Sequence, residues 1–255
     1  MGCSLLSMQY LVAEPVPVRH VEGLVHGFLL LRTLDGTTIA HGDLTEIANG
    51  DQVTTHLVFH FKDGSLHDET AVFSQSHTFR LLKDHLAQKG PTFKHPLDMS
   101  IDTEKREVTV RYTDSDGKEK TTTDQMDLPA DVANGMTLTV VKNILPTEPK
   151  KTVSMIAATP KPRLVQLVIT PTGEESFSIG DSRRKAVRYE VKVEVGGVSG
   201  LVAHLFSKLP PPTHVWILHG DAPAFVKSEG PMCMECPVWR IELTTPVWSA
   251  SAEHP

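Results

Sequence analysis

The chain has 255 residues, of which 40% are hydrophobic and 22% charged, with a formal net charge of -6. A chain of that length buries roughly three-quarters of its unfolded surface, so it needs no disulfide framework, and its three cysteines do not build one. The acidic balance argues against a nucleic-acid partner, since phosphate binding relies on clustered Lys and Arg, and the basic runs Pro160-Lys-Pro-Arg163 and Ser182-Arg-Arg-Lys185 are short.

Residues 1–20 read as an N-terminal extension. The start, Met1 to Glu14, is apolar but lacks a basic n-region, which fits either a signal-peptide remnant or a disordered arm and leaves the compartment open between exported and not. Cys3 has no upstream apolar stretch for a lipoprotein signal, and Leu6 fails the myristoylation pattern. No apolar run reaches the roughly 18 residues of a membrane span. Residues 21–250 read as a single β-rich domain, with a sub-sheet break where prolines cluster near 146–151.

Period-two alternation predicts strands over 24–33, 38–48, 52–62, 65–73, 77–85, 107–113 and 118–124. Next comes the one break in the rhythm. Asp127 as N-cap, Pro129 in the first turn, and Val132, Met136 and Val140 at helical spacing predict a helix over 129–143 packed on the sheet. Further strands follow over 151–158, 163–170, 186–196, 198–206, 213–219 and 237–244. The turns Asp35-Gly36, Asn49-Gly50, Asp63-Gly64, Asp116-Gly117 and Gly196-Gly197 suit tight antiparallel hairpins. The expected fold is mainly β: a long, curved antiparallel meander forming an open barrel or sandwich, with one helix covering an end.

Histidine is the compositional outlier, with 13 residues, about twice ordinary usage. Several flank the Asp63-Gly64 turn. If that turn is a two-residue loop, His60 lies opposite His67 and Val58 opposite Glu69. A two-residue Asn49-Gly50 loop sets Asp43 opposite His56 and His41 opposite Val58. Asp35-Gly36 sets Leu30 beside His41 and Phe28 beside Asp43. Alternation then gathers His41, Asp43, His56, His60, His67 and Glu69 on one face, with Val25, Leu29, Leu31, Ala40, Leu44, Val53, Leu57, Phe59 and Phe61 on the buried one.

Imidazoles with a carboxylate suit a divalent transition metal, zinc foremost, and an open position on it activates water. The expected ligands are His41, His56, His60 and His67, with Glu69 or Asp43 as general base or extra ligand. The competing expectation is a solvated outer face. A β-bulge or a three-residue loop at this turn shifts the register by one and sends the histidines to opposite sides.

Other motifs add less. Cys233-Met-Glu-Cys236 suits a redox dithiol or a soft metal half-site, but it leads through Pro237 into a strand, where a redox C-x-x-C opens a helix. His219-Gly-Asp221 reads as a turn before it reads as a polar contributor. There is no G-x-S-x-G elbow, P-loop or dinucleotide fingerprint. Trp216, Trp239 and Trp248 read as core or pocket lining.

The run Phe61-Lys-Asp-Gly-Ser-Leu-His-Asp-Glu-Thr70, the loop Gln88-Lys-Gly-Pro91 and the segment Asp127 to Gly135 resemble uncharacterised bacterial proteins, often exported, with a predicted open β-barrel similar to lipoprotein carriers. The resemblance implies a concave sheet able to hold a lipid-like ligand, and it transfers no functional residue. Two functions are therefore expected. One is a metal-dependent hydrolase of an ester or phosphoester, with its histidine-rich site on the concave face of the sheet. The other is a non-catalytic carrier of an apolar ligand. The oligomeric state is open.

Overall fold

Glycine-bearing turns cut the chain into strands that pair with their neighbours in sequence, as the alternation anticipates. In a computed structural model, which describes residues 13–114, 116–194 and 209–245, fourteen strands form one antiparallel sheet. They are β1 (Val25–Thr33), β2 (Thr38–Asn49), β3 (Gln52–Phe61), β4 (Leu66–Gln75), β5 (Phe79–Lys89), β6 (Leu97–Asp102), β7 (Glu107–Thr113) and β8 (Glu119–Gln125). After α1 (Thr137–Lys142) come β9 (Lys151–Ala157), β10 (Arg163–Ile179), β11 (Ser182–Glu194), β12 (Thr213–Leu218), β13 (Ala224–Gly230) and β14 (Trp239–Leu243). The spatial order is β8 through β1, then β14 through β9. The chain thus begins in mid-sheet, builds outward to one edge, crosses over 126–150, and returns from the other edge to pair β14 with β1.

That crossover closes the fold. The predicted helix over 129–143 is a six-residue helix, because the residues before it are used otherwise. Asp131 and Ala133 trade backbone hydrogen bonds with Ser154, and the Asn134 side chain bonds both the N–H and the C=O of Ile156, so this stretch covers the free edge of β9. Gly135 then takes φ +63°, a left-handed turn that ends the extended run and starts α1. Covering an edge in this way removes a template for unwanted strand pairing. Val132, Met136 and Val140 are buried, as their spacing anticipates, in an interior cluster drawn from both halves of the sheet, so the sheet curls around this segment as an open barrel.

A second cluster fills the other end. Leu31, Ala40, Phe59, Phe61 and Trp239 meet Phe93 from the β5–β6 loop and Cys236 from the β13–β14 loop. Cys233 and Cys236 form a disulfide within that loop. The motif therefore serves packing here, with Cys236 buried and Met232 against the same cluster.

Two strands escape the sequence reading. β6 alternates Leu97, Met99 and Ile101 over only six residues, and β13 carries only Phe225 and Val226 as large apolar markers. β10 and β11 run further than expected because their tips form a ribbon bent at a bulge between Pro171 and Gly173. That ribbon lays Glu175 against Trp216, whose indole N–H donates to it at 2.9 Å. The expected strand over 198–206, the Gly196-Gly197 turn and Trp248 lie outside the described residues.

The expected extension also joins the fold in part. Val16 is buried, and residues 16–18 pair with the start of β5. Arg19 and Glu22 reach α1: Arg19 donates to the Asn143 carbonyl at 2.7 Å, and Lys142 Nζ lies 2.7 Å from Glu22. The break expected near 146–151 separates the two sheet edges, within one sheet. Among the described residues, no helix is long and apolar enough to cross a membrane.

Candidate functional site

Register decides which side chains can meet. Between β3 and β4 the turn is a three-residue loop: Phe61 N–H bonds Ser65 O, Gly64 N–H bonds Phe61 O, and Gly64 sits at φ +86°. Phe59 therefore pairs with His67, and His60 with Leu66. The expected His60–His67 and Val58–Glu69 pairs are each off by one, enough to move a side chain to the other face. Asp63 favours the longer loop by accepting the Ser65 N–H at 2.9 Å and the Thr92 hydroxyl at 2.7 Å.

Between β2 and β3 the loop is Gly50-Asp51, because Asn49 pairs with Gln52. His41 consequently faces His60, Asp43 faces Val58 and Thr45 faces His56, a shift of two that preserves the face. The β1–β2 pairing of Leu30 with His41 and Phe28 with Asp43 is as expected.

The proposed metal set is thus divided. His41, Asp43, His56 and His60 lie on the convex outer surface, where His26 Nε2 lies 3.2 Å from Asp43 and His56 Nε2 lies 3.0 Å from Asp68. His67 and Glu69 point into the barrel. The expected histidine site on the concave face is therefore corrected: a β-strand alternates, and the odd-length loop inverts β4 relative to β3. Among the described residues no cluster of three or more His, Cys, Asp or Glu is placed to hold a metal. His219 and Asp221 lie beyond the end of β12, and the His219 ring lies 2.7 Å from the Tyr189 hydroxyl. Replacing His41, His56 and His60 together by Gln is expected to change stability by no more than about 0.5 kcal/mol per site, checked by urea titration. A cooperative loss well above that sum would assign them a shared structural role.

The interior holds the unusual chemistry. Cross-strand rows run around its wall. Gly42, Phe59, His67 and Gln88 form one fully buried row, and Glu46, Thr55, Ala71 and Asp84 form another. In the row between them, Leu44–Leu57–Glu69–Leu86, all face inward, but Leu44, Leu57 and Glu69 are only half-buried while Leu86 is buried. These three residues keep accessible surface on the inner side, between two sealed rows. Phe225, packed against both clusters, and Ile241 are half-buried from the opposite wall.

Polar groups line this wall without partners. His67 Nε2 and both carboxyl oxygens of Asp84 are buried with no hydrogen-bond partner among the described residues. Glu69 and Asp84 are diagonal neighbours, since Glu69 pairs with Leu86 and Asp84 with Ala71. Burial pushes the Glu69 carboxyl up to about 7. Burial first, and then the charge of Glu69, hold the Asp84 carboxyl well above the usual carboxylate range. Burial likewise pushes His67 down to about 4, so its ring is neutral.

Gln88 ties the wall across the barrel, donating to Met232 O at 2.7 Å and lying 3.0 Å from His67 Nδ1. Native proteins leave few buried polar atoms unbonded, so this concentration marks the candidate site. Two surface clefts compete less well. One of about 360 Å³ at Trp216 and one of about 340 Å³ at His20 have much of their charged lining already paired: Glu175 with Arg188 at 3.3 Å, Lys227 with Glu229 at 3.2 Å, and Lys142 with Glu22 at 2.7 Å.

Asp84 and Gln88 escape sequence reasoning because β5 changes phase. A bulge opposite Val72 and Phe73 sets Leu81 and then Asp84 on the inner face, and the doubled Leu81-Leu82 was the available signal.

A scan against protein-family models gives no match. A search of curated proteins likewise gives none. Among solved structures the chain is similar to the β-barrel-like protein of domain of unknown function DUF1849 from Brucella abortus. The two share 10% identity over 90% of this chain and 100% of that one, with a TM-score of 0.48.

Proposed function

We propose that the protein is a non-catalytic binding protein that holds a small apolar molecule inside the barrel. The observation that carries this reading is the half-buried inward trio Leu44, Leu57 and Glu69 between two sealed rows. An apolar wall with a few polar groups at one place is the usual composition of a small-molecule site. Retention of a lipid-like molecule, as the resemblance to exported carrier-like proteins implies, needs only that room and an end from which to enter. The metal-hydrolase alternative requires imidazoles that converge, and strand alternation divides them between two faces.

The test is titration with the dye N-phenylnaphthylamine, whose fluorescence rises in apolar surroundings, against the wild-type protein and Leu57→Trp. A large indole at Leu57 fills the internal space. Saturable dye binding by the wild type, lost in a folded Leu57→Trp variant, is the expected result. Equal dye signals from both proteins, or none from the wild type, would overturn the reading.

A further inference from the structure

The polar groups of the interior also select what the bound molecule carries. Met232 O can only accept, so the Gln88 side-chain nitrogen donates to it at 2.7 Å and gives its second hydrogen to His67 Nδ1 at 3.0 Å. Nδ1 is then an acceptor, and the neutral ring carries its proton on Nε2. That atom is buried and has no partner among the described residues, so the interior presents one unused N–H donor.

Two residues along the same face of β4, Glu69 is half-buried on the inner side and offers a carboxyl. Beyond it the carboxyl of Asp84, 2% exposed, has both oxygens without partners. A donor and acidic oxygens therefore lie beside Leu44 and Leu57 on the inner wall.

Three head groups can be weighed against that pattern. An ammonium would satisfy the carboxyls but would meet the His67 N–H as donor against donor. A carboxylate would accept from His67 but would bury a charge with no cation among the groups facing it. A hydroxyl accepts from one neighbour and donates to the other, and it buries no charge.

We infer that the interior binds an apolar alcohol, with its hydrocarbon body against Leu44 and Leu57 and its hydroxyl bridging His67 Nε2 and the Glu69 carboxyl. The inference rests on the binding reading above and adds the ligand class. Same-face neighbours on a strand stand about 7 Å apart, close enough for two side chains to converge on one oxygen. Asp84 lies one row further along the wall, diagonal to Glu69.

The experiment is displacement of N-phenylnaphthylamine from the full chain by dodecanol, dodecyl methyl ether, dodecylammonium and dodecanoate. Dodecanol is expected to displace the dye at a concentration about tenfold lower than the ether, which accepts but cannot donate, and lower than either ion. In Glu69→Leu the alcohol is expected to lose that advantage while ether binding is kept. The comparison within the wild type stands even if that variant fails to fold. Equal displacement by alcohol and ether would overturn the hydroxyl assignment and leave the binding reading intact. Tightest displacement by dodecylammonium or by dodecanoate would overturn it in favour of an ionic head group. Absence of dye binding altogether would remove both.

Discussion

Gly135→Ala is expected to destabilise the protein by about 3 kcal/mol or more, lowering Tm by roughly 6–10 °C. Two costs add at this position. The residue sits at φ +63°, where an L side chain crowds its own carbonyl at about 1–2 kcal/mol. A Cβ there would also lie 2.6 Å from the Ala71 Cβ and 2.5 Å from an Asp84 carboxyl oxygen. Ala71 belongs to a mid-sheet strand and cannot yield, so the segment over 131–136 must lift from the wall. That segment covers the free edge of β9 and begins α1, so its displacement loosens the closure of the barrel. Thermal melting of the two proteins decides the matter. A Tm within about 2 °C of the wild type would show that Gly135 does not press against β4 and β5.

Glu69 is expected to lower stability as pH rises from about 4.5 to about 7, against the opposite contribution of His67 between about 4 and 6.5, and Glu69→Gln is expected to remove the Glu69 part. In the unfolded chain Glu69 releases its proton near the ordinary 4.5, whereas in the folded barrel burial raises it to about 7. Between those values the native state holds a proton that the unfolded state has given up, so raising pH favours unfolding. The protonated form thus contributes its stability fully below about 4.5 and loses it through about 7. The shift corresponds to about 3 kcal/mol above that range.

Asp84, raised by burial and then by the charge of Glu69, adds a slope of the same sign. Glu46, which burial also pushes up to about 7, adds a parallel contribution despite Lys142 beside it, so a residual slope remains in the variant. Urea titrations of both proteins across this range give the measurement, with Glu69→Gln the more stable above pH 7. Parallel curves for wild type and variant would show that Glu69 is solvated, not interior.

Much of the fold was written in local chemistry. Alternation and Gly-bearing turns place most of the strands, and at Asp35-Gly36 even the pairing of Leu30 with His41 follows from the sequence. The helix was over-extended because Val132, Met136 and Val140 share a buried face in either conformation. Helical spacing cannot tell a helix from an edge-capping segment that turns at Gly135. The candidate site was half legible. His67 and Glu69 were singled out, but in the company of His41, His56 and His60, which the sheet turns outward.

By itself the sequence determined the antiparallel β character, the buried stripe from Leu29 to Phe61, and the presence of polar side chains near the Asp63-Gly64 turn. The tertiary structure decided their side. Whether that turn spans two residues or three depends on Asp63, whose local bond from the Ser65 N–H is joined by one from Thr92 in the β5–β6 loop, a contact that exists only once the sheet has formed. Because side chains alternate with period two, that single residue sends His67 and Glu69 inward, where burial removes their water.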